Sequence, residues 1–138
     1  MSEIEKLKNI VVLVVEDERP LAQAITTKLQ EKGVDTISAR TADQALDYLE
    51  TVKDINAVWL DHYLLGQKSG LDIIMKLKED NSPWKHLPVF VVSNTVTDAK
   101  VQTYMKLGAD KYFVKSSTRL SEIIESVLEH CIKDNTIE

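Results

Sequence analysis

At 138 residues, with 43% hydrophobic and 28% charged residues, only 4 Gly and 3 Pro, the chain has the composition of one folded domain and excludes a disordered or fibrous segment. Its net charge is −5, from 17 basic against 22 acidic residues with the basic ones scattered, which argues against direct nucleic-acid binding. The single cysteine, Cys131, excludes an internal disulfide, and no signal peptide or membrane-crossing apolar stretch is present, so a cytoplasmic protein with no membrane part is expected.

Strand and helix patterns alternate along the chain, predicting an α/β fold with a parallel sheet covered on both faces. Ile10–Val15 is continuously apolar, as a central strand buried on both sides requires. Pro20 suits the start of a helix whose face carries Leu21, Ala24, Ile25, Lys28 and Leu29, and Gly33 ends it. Val34–Ala39 is a second, weaker strand. Thr41 reads as the N-cap of a helix with Ala42, Ala45, Leu46 and Leu49 on one side. Ala57–Leu60 is the third strand, followed by a loop with Gly66 and Gly70 and a helix through Leu71, Ile74 and Lys78. Asn81-Ser82-Pro83 breaks that helix, and Leu87–Val92 is the fourth strand. A helix over Asp98–Leu107 ends at Gly108, and Lys111–Val114 is the fifth strand. Leu120, Ile123, Ile124, Val127, Leu128 and Cys131 stripe the last helix, which places Cys131 in the core. The expected core spans about residues 8–133 of a single domain covering 1–138, with frayed ends.

Four of the apolar runs stop at a residue suited to handling a phosphoryl group: Glu16-Asp17, Asp61, Ser93 and Lys115. In a parallel sheet these ends share one rim, where open α/β sheets bind ligands. Taken singly, each has a plain explanation: Asp17 or Glu18 as a helix cap, Asp61 as a loop aspartate, Ser93 as an N-cap, Lys115 as a snorkelling lysine. Together they are complementary. Clustered acids repel one another unless a cation intervenes, and Mg²⁺ takes one or two carboxylates plus phosphate oxygens. A carboxylate can attack phosphorus, while an ammonium and a hydroxyl stabilise the transferring group.

These residues carry a resemblance to the receiver domains of bacterial two-component response regulators, CheY-like in type. The matching pieces are Val14-Val15-Glu16-Asp17-Glu18, Trp59-Leu60-Asp61-His62-Tyr63-Leu64, Val91-Val92-Ser93-Asn94 and Gly108-Ala109-Asp110-Lys111-Tyr112-Phe113-Val114-Lys115. The resemblance implies a doubly wound (βα)5 flavodoxin-like sandwich with strand order 2-1-3-4-5, an order carried over from chemotaxis members of the family. It implies Asp61 as phosphoacceptor and Mg²⁺ held by Asp17, Asp61 and the Tyr63 carbonyl, with Glu16 acting through metal-bound water. It implies Lys115 at the phosphoryl group, Ser93 as switch hydroxyl and Tyr112 as the aromatic that moves with it. The donor would be a phosphohistidine on a sensor histidine kinase or histidine phosphotransfer protein.

The face of the fourth helix, fifth strand and fifth helix would then dock a downstream protein or a second copy of the chain, through candidates Val101, Tyr104, Met105, Lys106 and Lys111. Core packing is the simpler role for Val101 and Met105. The chain is thus expected to be a switch and no enzyme acting on an outside substrate. Alternatives are a phosphorylation-independent interaction module on the same fold, or a small phosphohydrolase using Asp61, for which Tyr63 stands where an acid is usual.

The sequence departs from the family pattern at Ser116, where proline is usual, and at Leu65-Gly66, where Pro-Gly is usual. It departs again at Asn94, where a small residue is frequent, and in an Asp61–Gly70 stretch one residue longer than common. The Tyr63 ring is expected either to shield the acyl phosphate from water or merely to cover the rim. Of the three histidines, His86 and His130 lack metal-ligand spacing to any other, and His62, pointed away by strand alternation, is expected on an exposed loop. Trp59 is expected inside.

Overall fold

The computed structural model describes residues 9–94 and 97–136. Among them five strands and five helices alternate: β1 Val11–Val15, α1 Arg19–Glu31, β2 Asp35–Ala39, α2 Ala42–Thr51, β3 Ala57–Leu60, α3 Gly70–Lys78, β4 Val89–Ser93, α4 Asp98–Leu107, β5 Lys111–Val114 and α5 Leu120–Thr136. All strand pairs are parallel, in the order β2-β1-β3-β4-β5. The expected doubly wound sandwich is therefore the observed one. Helix α5 runs three residues past Lys133, where the sequence pattern ends; the N-terminal segment expected to fray lies outside the described residues.

Strand alternation sorts the core into two layers. Leu13, Val15, Val58, Leu60, Val89 and Val91 face one way, onto Ala45 and Leu49 of α2, Ile73, Ile74 and Leu77 of α3, and Tyr104 of α4. Val12, Val14, Ala57, Trp59, Phe90 and Val92 face the other, onto Ile25 and Leu29 of α1 and Ile123, Ile124, Val127 and Cys131 of α5. Burial of a Leu or Ile of this kind contributes about 1.5–3 kcal/mol. The central strands are apolar on both faces because helices cover both. The edge strand β2 is the exception, with Asp35 and Ser38 turned to solvent, which blunts it against pairing with another chain.

The helix ends follow local chemistry. Thr41 caps α2 by accepting from the Gln44 N–H at 3.0 Å. Gly33 and Gly108, with φ of 89° and 113°, close α1 and α4 in the left-handed region that glycine alone adopts freely. A capping box opens α3: the Ser69 hydroxyl accepts from the Leu71 N–H, and the Asp72 carboxylate accepts from the Ser69 N–H at 2.8 Å. That cap makes Gly70 helical and brings α3 close under the end of β3. No helix among the described residues is long and apolar enough to cross a membrane.

Candidate functional site

The parallel register brings the ends of β1, β3, β4 and β5 to one rim. Asp61 follows β3 directly, its N–H donating to the Val15 carbonyl at 3.0 Å, and Glu16 follows β1, its N–H donating to the Ala39 carbonyl at 3.0 Å. From the end of β5, Lys115 reaches back between them. Its Nζ lies 2.7 Å from Glu16 Oε1 and 2.9 Å from Asp61 Oδ2, and its own N–H donates to the Ser93 carbonyl at 3.0 Å. Glu16, Asp61 and Ser93 are buried, Asp17 and Lys115 half-buried.

Carboxylate oxygens of Glu16, Asp17 and Asp61 all lie within 4.8 Å of one another. Glu16 is raised to about 7: burial pushes it up most, the Lys115 hydrogen bond opposes this, the neighbouring Asp61 charge adds to it, and the Glu18 N–H bond at 3.1 Å opposes it. Burial alone would lower Lys115, but its bonds to Glu16 and Asp61 outweigh that and raise it, so the ammonium stays charged. An all-oxygen set whose buried carboxylate is short of compensating charge fits a hard divalent cation such as Mg²⁺.

One further residue shapes the rim without standing out by type in the sequence. Arg40, at the end of β2, donates from Nε and Nη2 to the Asp17 carbonyl oxygen at 3.2 and 2.9 Å, fixing the backbone that presents the Asp17 carboxylate. Its signal is its place directly after the second strand, the same signal that marks the other rim residues. Beyond Asp61, the loop crosses over β1: Leu65 bridges to Thr41, with its N–H on the Arg40 carbonyl at 3.2 Å, and Lys68 pairs with Asp43 at 2.6 Å. Tyr63 on this loop is 60% exposed, its ring standing edge-on to His62 at 4.7 Å.

The structure corrects three placements. His62 is not on an exposed loop; it does point away from Asp61, but into the layer beneath α4, where its Nδ1 lies 2.6 Å from the Tyr104 hydroxyl. Burial lowers its pKa, Lys100 lowers it further, and Asp61 opposes both. Tyr104 is correspondingly no surface contact but fully buried, 5.8 Å from the Tyr112 ring. Met105 is exposed, not core, while Val101 is half-buried and Lys106 and Lys111 are exposed. Trp59 and Cys131 are buried as expected, and His130 packs edge-on against Phe90 at 5.3 Å.

Comparison with known proteins agrees with this architecture. The family model described as response regulator receiver domain matches residues 12–128. The chain is 29% identical to chemotaxis protein CheY1 of Helicobacter pylori over 120 residues, which cover 85% of this chain and 95% of that protein. It is 36% identical to transcriptional regulatory protein DltR of Streptococcus agalactiae over 110 residues, 75% of this chain and 44% of DltR. The response regulator receiver protein of Pseudomonas putida superposes with a TM-score of 0.79 at 28% identity, covering 87% of this chain and 96% of that one. The match across most of the chain, on a five-stranded 2-1-3-4-5 sheet, makes this protein a member of the response regulator receiver family, a signalling module of two-component systems.

Proposed function

We propose that Asp61 accepts a phosphoryl group from a phosphohistidine on a sensor kinase or phosphotransfer protein, and that the transfer is Mg²⁺-dependent and catalysed by this chain itself. The observation that carries it is the Lys115 ammonium bridging Asp61 and Glu16, with the Asp17 carboxylate completing the cluster. Asp17, Asp61 and the Tyr63 carbonyl would hold the metal, with Glu16 assisting through water. Bound there, it would neutralise charge on the incoming phosphoryl oxygens.

The chain's own groups do the rest. Asp61 Oδ1 accepts the His62 N–H at 2.7 Å, which leaves it a further lone pair with which to attack phosphorus. As the new P–O bond forms, the donor's P–N bond breaks and its electron pair leaves on the imidazole. Lys115 follows the charge onto the phosphoryl oxygens. The Ser93 hydroxyl, from the end of β4, turns toward the new phosphate, and Tyr112 moves with it. The face of α4, β5 and α5, with Met105, Lys106 and Lys111 exposed on it, is then reshaped for a downstream protein or a second copy of the chain.

Incubation with Mg²⁺ and acetyl phosphate tests this directly. A stoichiometric, acid-stable, base-labile adduct that Asp61→Asn abolishes supports the switch. No adduct would make the chain a phosphorylation-independent interaction module, and repeated turnover of an external ester would make it a hydrolase.

A further inference from the structure

The His62 and Tyr104 side chains lie outside the Glu16–Asp17–Asp61–Lys115 cluster, yet Tyr104 grips the residue next to Asp61. The backbone N–H of His62 touches Asp61 Oδ1 at 2.7 Å, while its ring, on the opposite face of the sheet, meets the Tyr104 hydroxyl at 2.6 Å. The two rings cross at 89° with centroids 5.7 Å apart. The His62 carbonyl is held as well, accepting from the Gly70 N–H at 3.0 Å. Gly70 has no room for a side chain: a Cβ there would collide with the Asp61 carbonyl oxygen and come within 2.7 Å of the Tyr104 hydroxyl.

Mutual satisfaction of two buried polar groups accounts for the bond, but not for its point of attachment. β3 ends at Leu60, and Asp61 is tied to the ladder by its own N–H, on the Val15 carbonyl. The aim of the 61–62 peptide is therefore set by what holds His62 from outside the sheet. Burial keeps the Tyr104 hydroxyl protonated, with Tyr112 and Asp61 adding to the effect, so it remains available as a donor to the imidazole.

We propose that Tyr104 is a positioning residue for phosphoryl transfer: its hydroxyl anchors the His62 ring and thereby fixes the His62 N–H against the carboxylate of Asp61. This rests on Asp61 being the phosphoacceptor. Small misplacements of a reacting group are costly, up to about 100-fold for 1 Å. Loss of one neutral hydrogen bond corresponds to a smaller effect, about fivefold.

The test follows Mg²⁺-dependent labelling by acetyl phosphate in the full chain, with Tyr104→Phe, His62→Phe and the double variant. The maximal rate should fall about fivefold in Tyr104→Phe, with the Mg²⁺ half-saturation point unmoved. The double variant should be no slower than the slower single, because both remove one bond. In ¹⁵N-edited NMR of the unphosphorylated protein, the His62 amide proton should move upfield in Tyr104→Phe as its carboxylate contact loosens. A wild-type rate in Tyr104→Phe, single-variant effects that multiply, or an unmoved His62 amide overturns the inference alone. If Tyr104→Phe does not fold, His62→Phe carries the rate test, and a wild-type rate there is equally fatal. Absence of label on the wild type overturns the phosphoacceptor assignment, and this inference with it.

Discussion

Lys115 and Glu16 meet at 2.7 Å across the width of two strands, and the same ammonium also touches Asp61. One lysine thus occupies the place between two buried carboxylates that a divalent cation and a phosphoryl group would otherwise contest. It both holds the acids together and competes with what they would bind.

Replacing that lysine separates the two roles. In Lys115→Met, labelling by acetyl phosphate should fall about 100-fold, the scale of losing one preorganised charge at a reacting centre. Mg²⁺ affinity should rise, because a competing cation has gone. Calorimetric titration of the variant checks this, and weaker Mg²⁺ binding would show that Lys115 organises the acids instead of competing for them.

Glu16 predicts an unusual pH dependence in the metal-free protein. Its folded value near 7 lies above the unfolded 4.5, so the stability it contributes is fully present below 4.5 and is lost as pH rises through about 7. The loss amounts to at most about 3 kcal/mol. Urea unfolding in chelator should show stability falling from pH 5 to pH 8 in the wild type and a much flatter profile in Glu16→Gln. Parallel profiles would remove Glu16 as the cause.

Arg40→Ala should weaken Mg²⁺ binding by about tenfold, the usual cost of losing a residue that orients a ligand without touching the metal. The guanidinium holds the Asp17 carbonyl through two nitrogens, and a lysine cannot reproduce that fork. Arg40→Lys should therefore recover only part of the affinity.

Gly70→Ala should destabilise the fold by about 1–3 kcal/mol through overpacking, visible as a lower urea midpoint. The added methyl has the Asp61 carbonyl and the Tyr104 hydroxyl in its way, so labelling should slow as well. Gly66→Ala is the contrast: nothing lies within 4 Å of its Cβ position, and only the strain of φ 88° applies.

Tyr63→Ala should speed loss of the phosphoryl group severalfold if the exposed ring screens the acyl phosphate from water. Pre-labelled protein, followed by release of inorganic phosphate, decides it. An unchanged rate would leave Tyr63 with its carbonyl alone.

Most of the fold is legible in the sequence because β1, β3 and β4 are short apolar runs without alternation, as strands of a doubly covered sheet are, and because Gly33, Thr41 and Gly108 mark helix ends by mechanism. The rim acids and Lys115 are legible from their place directly after those strands. Tyr104 is not. The apolar residues of α4 form no sharp stripe, and neither Tyr104 nor Met105 betrays which of them turns inward; tertiary contact with His62 decides it. The same contact buries a histidine that alternation alone can only point away from Asp61. The box at Ser69 and Asp72 is hidden too, because Gly70 between them looks like loop.

The tether from Leu65 to Thr41, with Lys68 on Asp43, gives the pocket one stiff flank. On that side the segment beyond Asp61 is stitched to the sheet's far edge, so a tug from a phosphate attached at Asp61 would find little slack there. On the other side stand Ser93 and Lys115, with the Lys115 N–H on the Ser93 carbonyl, and the elements beyond them. Were a phosphoryl group attached at Asp61, any displacement would be passed from the braced flank to the opposite jamb, the side of α4 and β5.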